Sequence, residues 1–91
     1  MTYEIVYSDE AKDELKKYKK SNPMAYKKVY RLIDEIMEHP RTGTGKPEPL
    51  TGGNEITYSR RINKKCRLIY DIYDEKVFVL ILTVDGHYDD K

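Results

Sequence analysis

The apolar positions of this chain change period twice, and each change predicts a change of structure. "YEIVYS" at residues 3–8 alternates and is β-branched, which predicts a short first strand. From Ala11 the spacing turns helical, with Ala11, Leu15 and Tyr18 on one face. Ser8 precedes them as an N-cap, and Asp9 and Glu10 fall in the turn where the helix dipole favours acids. "SNP" at 21–23 restarts the helix: Ser21 or Asn22 caps, and Pro23 takes the first helical position. Val29, Leu32, Ile33, Ile36 and Met37 form one stripe. It predicts a second helix ending near His39, because Pro40 disfavours helix in the residue before it.

Residues 40–54 have no period and hold three prolines and four glycines, so they read as one long loop. Loops of this length in a compact domain often carry function. Strand patterning then returns in "EITYSRRI" (55–62), "CRLIYDIY" (66–73) and "VFVLILTV" (77–84), linked by "NKK" and "DEK". The last run is apolar on both faces, as a central strand is. The order β-α-α-β-β-β predicts an α+β fold. Two N-terminal helices pack on one face of a mainly antiparallel four-stranded sheet, and the other face stays open for binding. At 91 residues the whole chain, 1–91, is one domain with a modest core.

Charge sharpens this picture. The net charge is only +1, yet residues 12–31 carry eight Lys and Arg against two acids. Residues 41–67 carry seven against two, while 71–91 carry six acids against two bases. A nearly neutral total thus conceals basic surfaces suited to phosphate-rich partners, although the lysines of 12–31 also serve simply to solvate helix faces. No run approaches the roughly 20 apolar residues of a membrane span. "MTYEIVYSDE" lacks the basic-then-apolar pattern of a signal peptide, and the single Cys66 suits a reducing compartment, so a cytoplasmic location is expected.

Candidate chemistry sits in the loop and the hairpin. In "GKPEPL", Glu48 lies between Pro47 and Pro49, two residues after Lys46. Prolines restrict the residues before them, so Lys46 and Glu48 are both expected to be extended. Such a mount suits a carboxylate that must point at something. If Asn63-Lys64-Lys65 is a three-residue turn, Arg61 pairs with Arg67 on one face, and the two ask for an anion such as phosphate. A nearby carboxylate, Asp71 or Glu48, satisfies them equally well, and a two-residue turn sets Arg67 opposite Ile62 instead. His87 titrates near neutrality and suits a general acid, although terminal histidines are commonly idle. His39 reads as a helix-end residue and Cys66 as a small half-buried one. One Cys and two distant His give no zinc-ligand spacing, and no metal or cofactor is expected. There is no GxxxxGK[ST] loop.

Taken together, "GTGKPEPL" (43–50), "YSRRINKKCRLIYDI" (58–72) and "HY" (87–88) resemble the YoeB/Txe branch of the RelE-type toxins, in order along nearly the whole chain. The resemblance implies a RelE-like toxin of a type II toxin–antitoxin pair that enters the ribosomal A site and cuts mRNA without metal. Its partners would be a YefM-like antitoxin, the ribosome and mRNA, with a homodimer also compatible. It makes Glu48 the general base for the ribose 2′-OH, Arg67 the stabiliser of the phosphorane, His87 the acid for the departing 5′-oxygen, and Tyr88 an orienting group. Lys46, Arg60, Arg61, Lys64 and Lys65 become the phosphate-binding set. Three positions depart from the family pattern: Thr51 replaces a usual lysine, Cys66 a usual histidine, and Asp89-Asp90-Lys91 extends the tail. Two alternatives stay open. One is a same-fold gyrase-directed toxin acting by protein binding; the other is a non-catalytic member that binds antitoxin or represses.

Overall fold

The computed structural model describes residues 2–50 and 56–87, with His87 described by its backbone alone. Seven elements follow in order: β1 (Glu4–Tyr7), α1 (Asp9–Ser21), α2 (Pro23–Glu38), β2 (Glu48–Pro49), β3 (Thr57–Arg61), β4 (Cys66–Tyr73) and β5 (Phe78–His87). The helix boundaries follow the capping chemistry. Ser8 Oγ accepts from Ala11 N at 3.0 Å, and Asp9 and Glu10 occupy the first turn. Asn22 closes α1 through its N–H to Tyr18 O and opens α2 through its side chain, with Pro23 following it. His39 is the C-cap of α2, immediately before Pro40.

Among the described residues the sheet has five strands, not four, in the order β1-β5-β4-β3-β2. β1 runs parallel to β5, and the other pairs are antiparallel. The additional strand is Glu48–Pro49, from within the proline-rich loop. An outer strand tolerates Pro49, which has no N–H to give to a ladder. β5 also runs beyond Val84 to His87. Asp85 and Gly86 are poor strand formers, and tertiary partners hold them: Gly86 pairs with Arg67, and His87 pairs with Cys66. On its other side β5 outlasts β1, and α1 meets that edge with side chains. Ser8 Oγ donates to Leu82 O at 2.8 Å, Glu14 accepts from Val84 N at 2.8 Å, and Tyr18 OH donates to Val84 O at 2.8 Å. Backbone groups that a sixth strand would otherwise pair are thereby satisfied.

Both helices cover one face of the sheet. Ala11, Leu15, Val29, Leu32 and Ile36 from the helices meet Leu68, Tyr70, Ile72, Val79, Ile81 and Val84 from β4 and β5. Burial alternates along β4, which is buried at Leu68, Tyr70 and Ile72 and more open at Arg67, Ile69, Asp71 and Tyr73. The second set defines the open face.

Candidate active site

Strand register carries the expected residues of the loop and hairpin to one corner of the open face. Arg61 lies opposite Arg67, and Glu48 lies opposite Ser59. Directly opposed residues share a face, so Glu48, Ser59, Arg61 and Arg67 are all on the side away from the helices. The three-residue turn is the register observed. Asn63 Oδ1 accepts from Lys65 N at 2.9 Å and from Cys66 N at 2.8 Å, which folds the turn around its own side chain. Arg67 Nη1 donates to Ser59 Oγ at 3.2 Å. The guanidinium therefore leans from its own row toward the row of Glu48, one strand spacing of about 4.8 Å beyond Ser59. The backbone of His87 pairs with Cys66, and that of Gly86 with Arg67, so the end of β5 borders the same corner.

Basic residues adjoin it at Arg61, on the side of the hairpin turn. A shallow groove is lined by Lys28, Lys46, Arg61 and Lys64, among others, and Lys65 is exposed in the adjoining turn. Lys46 is not extended as expected: its φ is +51°, left-handed backbone, between Gly45 at +86° and Pro47. The local restriction before a proline is overridden by what precedes Lys46 in the loop. Glu48 does lie in an extended strand.

Arg60 does not belong to the expected phosphate-binding set: it is fully buried on the helix side of β3, pairing with Leu68. Its five N–H groups are all engaged. Nε donates to Tyr70 OH at 3.0 Å; Nη1 donates to Glu35 Oε1 and Thr44 O, both at 3.1 Å; Nη2 donates to His39 O at 2.6 Å and Thr42 O at 2.7 Å. None is left for an RNA phosphate. Glu35 in turn accepts from Thr44 Oγ1 at 2.6 Å and Thr44 N at 2.7 Å. These bonds, and after them Arg60, hold the Glu35 carboxyl below its ordinary pKa.

Cys66 is half-buried and its Sγ donates to Asp85 Oδ1 at 3.5 Å, a carboxylate that also accepts from Tyr18 OH at 3.3 Å. Burial first, then these neighbours, push the Tyr18 hydroxyl well above the ordinary tyrosine range. Tyr88, Thr51, Asp89, Asp90 and Lys91, and the side chain of His87, lie outside the described residues. Among the described residues, no three His, Cys, Asp or Glu side chains gather as a metal site.

Sequence reasoning missed three contributors. Ser59 was legible as the residue two before Arg61, on the same strand face. Gly86 had no such signal: a Cβ there would stand 2.7 Å from Ile69 Cδ1, so a bare backbone lets Ile69 lie against β5. Glu35 flanks the apolar stripe of α2, and nothing in its spacing named Arg60 as its partner.

Two helices on one face of a mixed five-stranded sheet, with this basic corner opposite, place the protein among the RelE-like α+β proteins. Residues 7–88 match the model of the YoeB-like toxins of bacterial type II toxin–antitoxin systems, and the chain belongs to that family. It is 32% identical to toxin YoeB of Escherichia coli K12 over 84 residues, 92% of this chain and 98% of that protein. The YoeB dimer from Staphylococcus aureus superposes with a TM-score of 0.85 at 30% identity, covering 97% of this chain and 100% of that one. The S. aureus YoeB–YefM complex gives 0.80 at 31% identity over the same shares.

Proposed function

We propose that this toxin is a ribosome-dependent endoribonuclease that cuts mRNA in the A site. The observation that carries the reading is the pairing geometry of Glu48 and Arg67, in neighbouring rows of the open face with Ser59 between them. Glu48 takes the proton of a ribose 2′-OH, whose oxygen attacks the adjacent phosphorus. Arg67, with Arg61 beside it, stabilises the charge that builds on the phosphorane oxygens. His87 protonates the departing 5′-oxygen as the P–O bond breaks, and Tyr88 orients the substrate. The products are a 2′,3′-cyclic phosphate, or the 3′-phosphate from its opening, and a 5′-hydroxyl. Lys46, Lys64 and Lys65 hold the RNA backbone through point charge. The toxin acts in the cytoplasm and is neutralised by a YefM-like antitoxin, and its free form is a homodimer; the S. aureus dimer and complex support both assemblies by similarity.

Purified ribosomes carrying a defined mRNA test this directly. Wild type cuts within the A-site codon. Glu48→Ala and Arg67→Ala keep their melting temperature and lose roughly 10²–10⁴-fold in rate. A folded wild type that leaves A-site mRNA intact overturns the reading and favours a protein-binding toxin or a non-catalytic member.

A further inference from the structure

The buried guanidinium of Arg60 is used on a loop, and that loop ends at the proposed base. Residues 39–45 cross the surface, yet their backbone is caught at nearly every step. Arg60 takes the carbonyls of His39, Thr42 and Thr44, and Tyr70 OH donates to Pro40 O at 2.7 Å. Arg61 N donates to Gly45 O at 2.7 Å. Glu35 binds the same segment from α2 through Thr44 N and Oγ1. The grip is tight: a Cβ on Gly43, whose φ is +117°, would stand 2.4 Å from Glu35 Oε1. Directly after the last anchor comes Lys46 at φ +51°, then Pro47 and Glu48. Left-handed backbone at a lysine costs free energy and persists where the surroundings over-determine it. With carbonyls on both sides of Gly43 held, and Gly45 O bound by Arg61 N, the direction in which the chain leaves Gly45 is fixed.

From this we infer that buried Arg60 and half-exposed Glu35 form a clamp that aims the Lys46-Pro47-Glu48 mount. Both are positioning residues for RNA cleavage, and neither touches the substrate. The inference rests on the nuclease reading and adds to it the device that fixes the base. Glu48 is held from two directions: β3 pairs with it from one side, and the clamp sets the entry of the chain from the other. Loosening the clamp leaves Arg61, Lys64, Lys65 and Arg67 in place and lets the carboxylate drift, so the rate of the chemical step falls far more than the affinity for the programmed ribosome.

The test is single-turnover cleavage on programmed ribosomes, across toxin concentrations and well below each variant's melting temperature. Glu35→Gln and Gly43→Ala are the variants of choice, since Arg60→Ala endangers the fold itself. The expected result is a maximal rate lower by roughly 10–100-fold with the half-saturating concentration changed by less than about two-fold, the split that misplacement of a catalytic group produces. Tyr3→Phe, which removes a bond to Asp74, is a mild perturbation of the loop's far end. Its own partner Asp74 holds Arg41 of the same loop, so Ser21→Ala is the control: it removes an exposed bond to Lys17 O at the end of α1, outside the clamped loop, and keeps the wild-type rate at similar thermal stability. If folded Glu35→Gln and Gly43→Ala cut at the wild-type rate while Glu48→Ala does not cut, the clamp is overturned and the nuclease reading stands. If both variants lose affinity at an unchanged maximal rate, the clamp is overturned as well. An inert wild type overturns both.

Discussion

Arg60 and Arg61 are neighbours in sequence, identical in chemistry and opposite in fate. Arg60 points to the helix side of β3, is fully buried and has all five donors engaged by protein. Arg61 points to the open side, is exposed and lies opposite Arg67. The two faces of the sheet put the same side chain to different uses. One face builds the fold and the loop; the other presents charge to a partner. The period-two geometry of a strand makes the assignment, and a slip of one residue would exchange the two roles.

The largest expected effect separates these neighbours. Arg60→Ala leaves the carbonyls of His39, Thr42 and Thr44 and the Glu35 carboxylate without their donor, so urea denaturation should show a loss of about 3–5 kcal/mol. That is a large share of the roughly 5–15 kcal/mol that holds a small domain together. Arg61→Ala removes an exposed side chain and should change stability by less than about 1 kcal/mol, while weakening RNA binding. Equal stability losses for the two would break the comparison.

Tyr70→Phe asks how much of the buried face depends on a single polar contact. The hydroxyl accepts from Arg60 Nε and donates to Pro40 O, inside a fully buried ring. Its removal strands one donor and one acceptor and should cost about 1–3 kcal/mol in the same denaturation experiment, less than Arg60→Ala and more than Arg61→Ala. A neutral Tyr70→Phe would mean that the clamp does not need its aromatic arm.

The same contrast explains what was legible in the sequence. Helix limits followed from Ser8, Asn22, Pro23 and Pro40, because capping and proline effects act within a few residues. The Arg61–Arg67 pairing followed from the length of one turn. Three features were not legible, because each depends on contacts distant along the chain. β2 exists only through its pairing with β3. The parallel placement of β1 beside β5 joins residues 4–7 to 78–81. Arg60 looked like its neighbour because the "SRR" motif carries no mark of which arginine faces the helices; the alternation of Ile62, Leu68 and Tyr70 carried that information, and it needed the register to be read. Lys46 failed for a related reason: the clamp sets its backbone, and the local proline preference loses.

The smallest expected effect is a titration, and it tests whether the Glu35 arm of the clamp acts as a charged group. The Thr44 hydroxyl and amide, and after them Arg60, lower the pKa of Glu35 in the folded state. A carboxyl held below its ordinary value of 4.5 stabilises the fold at pH values above that figure. The contribution fades as pH falls through the lowered folded value and the group protonates. Glu35→Gln keeps the shape and loses the charge, so wild type should melt higher than the variant from neutrality to about pH 5. The gap should narrow steadily at lower pH. Partial exposure of Glu35 screens the interaction and keeps the gap small. Asp74, lowered by Arg41 and Tyr3, titrates in the same acid window just beyond the end of β4. Melting curves of Glu35→Gln and Asp74→Asn, recorded singly and together from pH 7 to pH 3, separate the two contributions, because the sites share no partner and their effects should add. Wild type and Glu35→Gln melting together at every pH would show that the Glu35 arm works through shape alone, with its charge irrelevant.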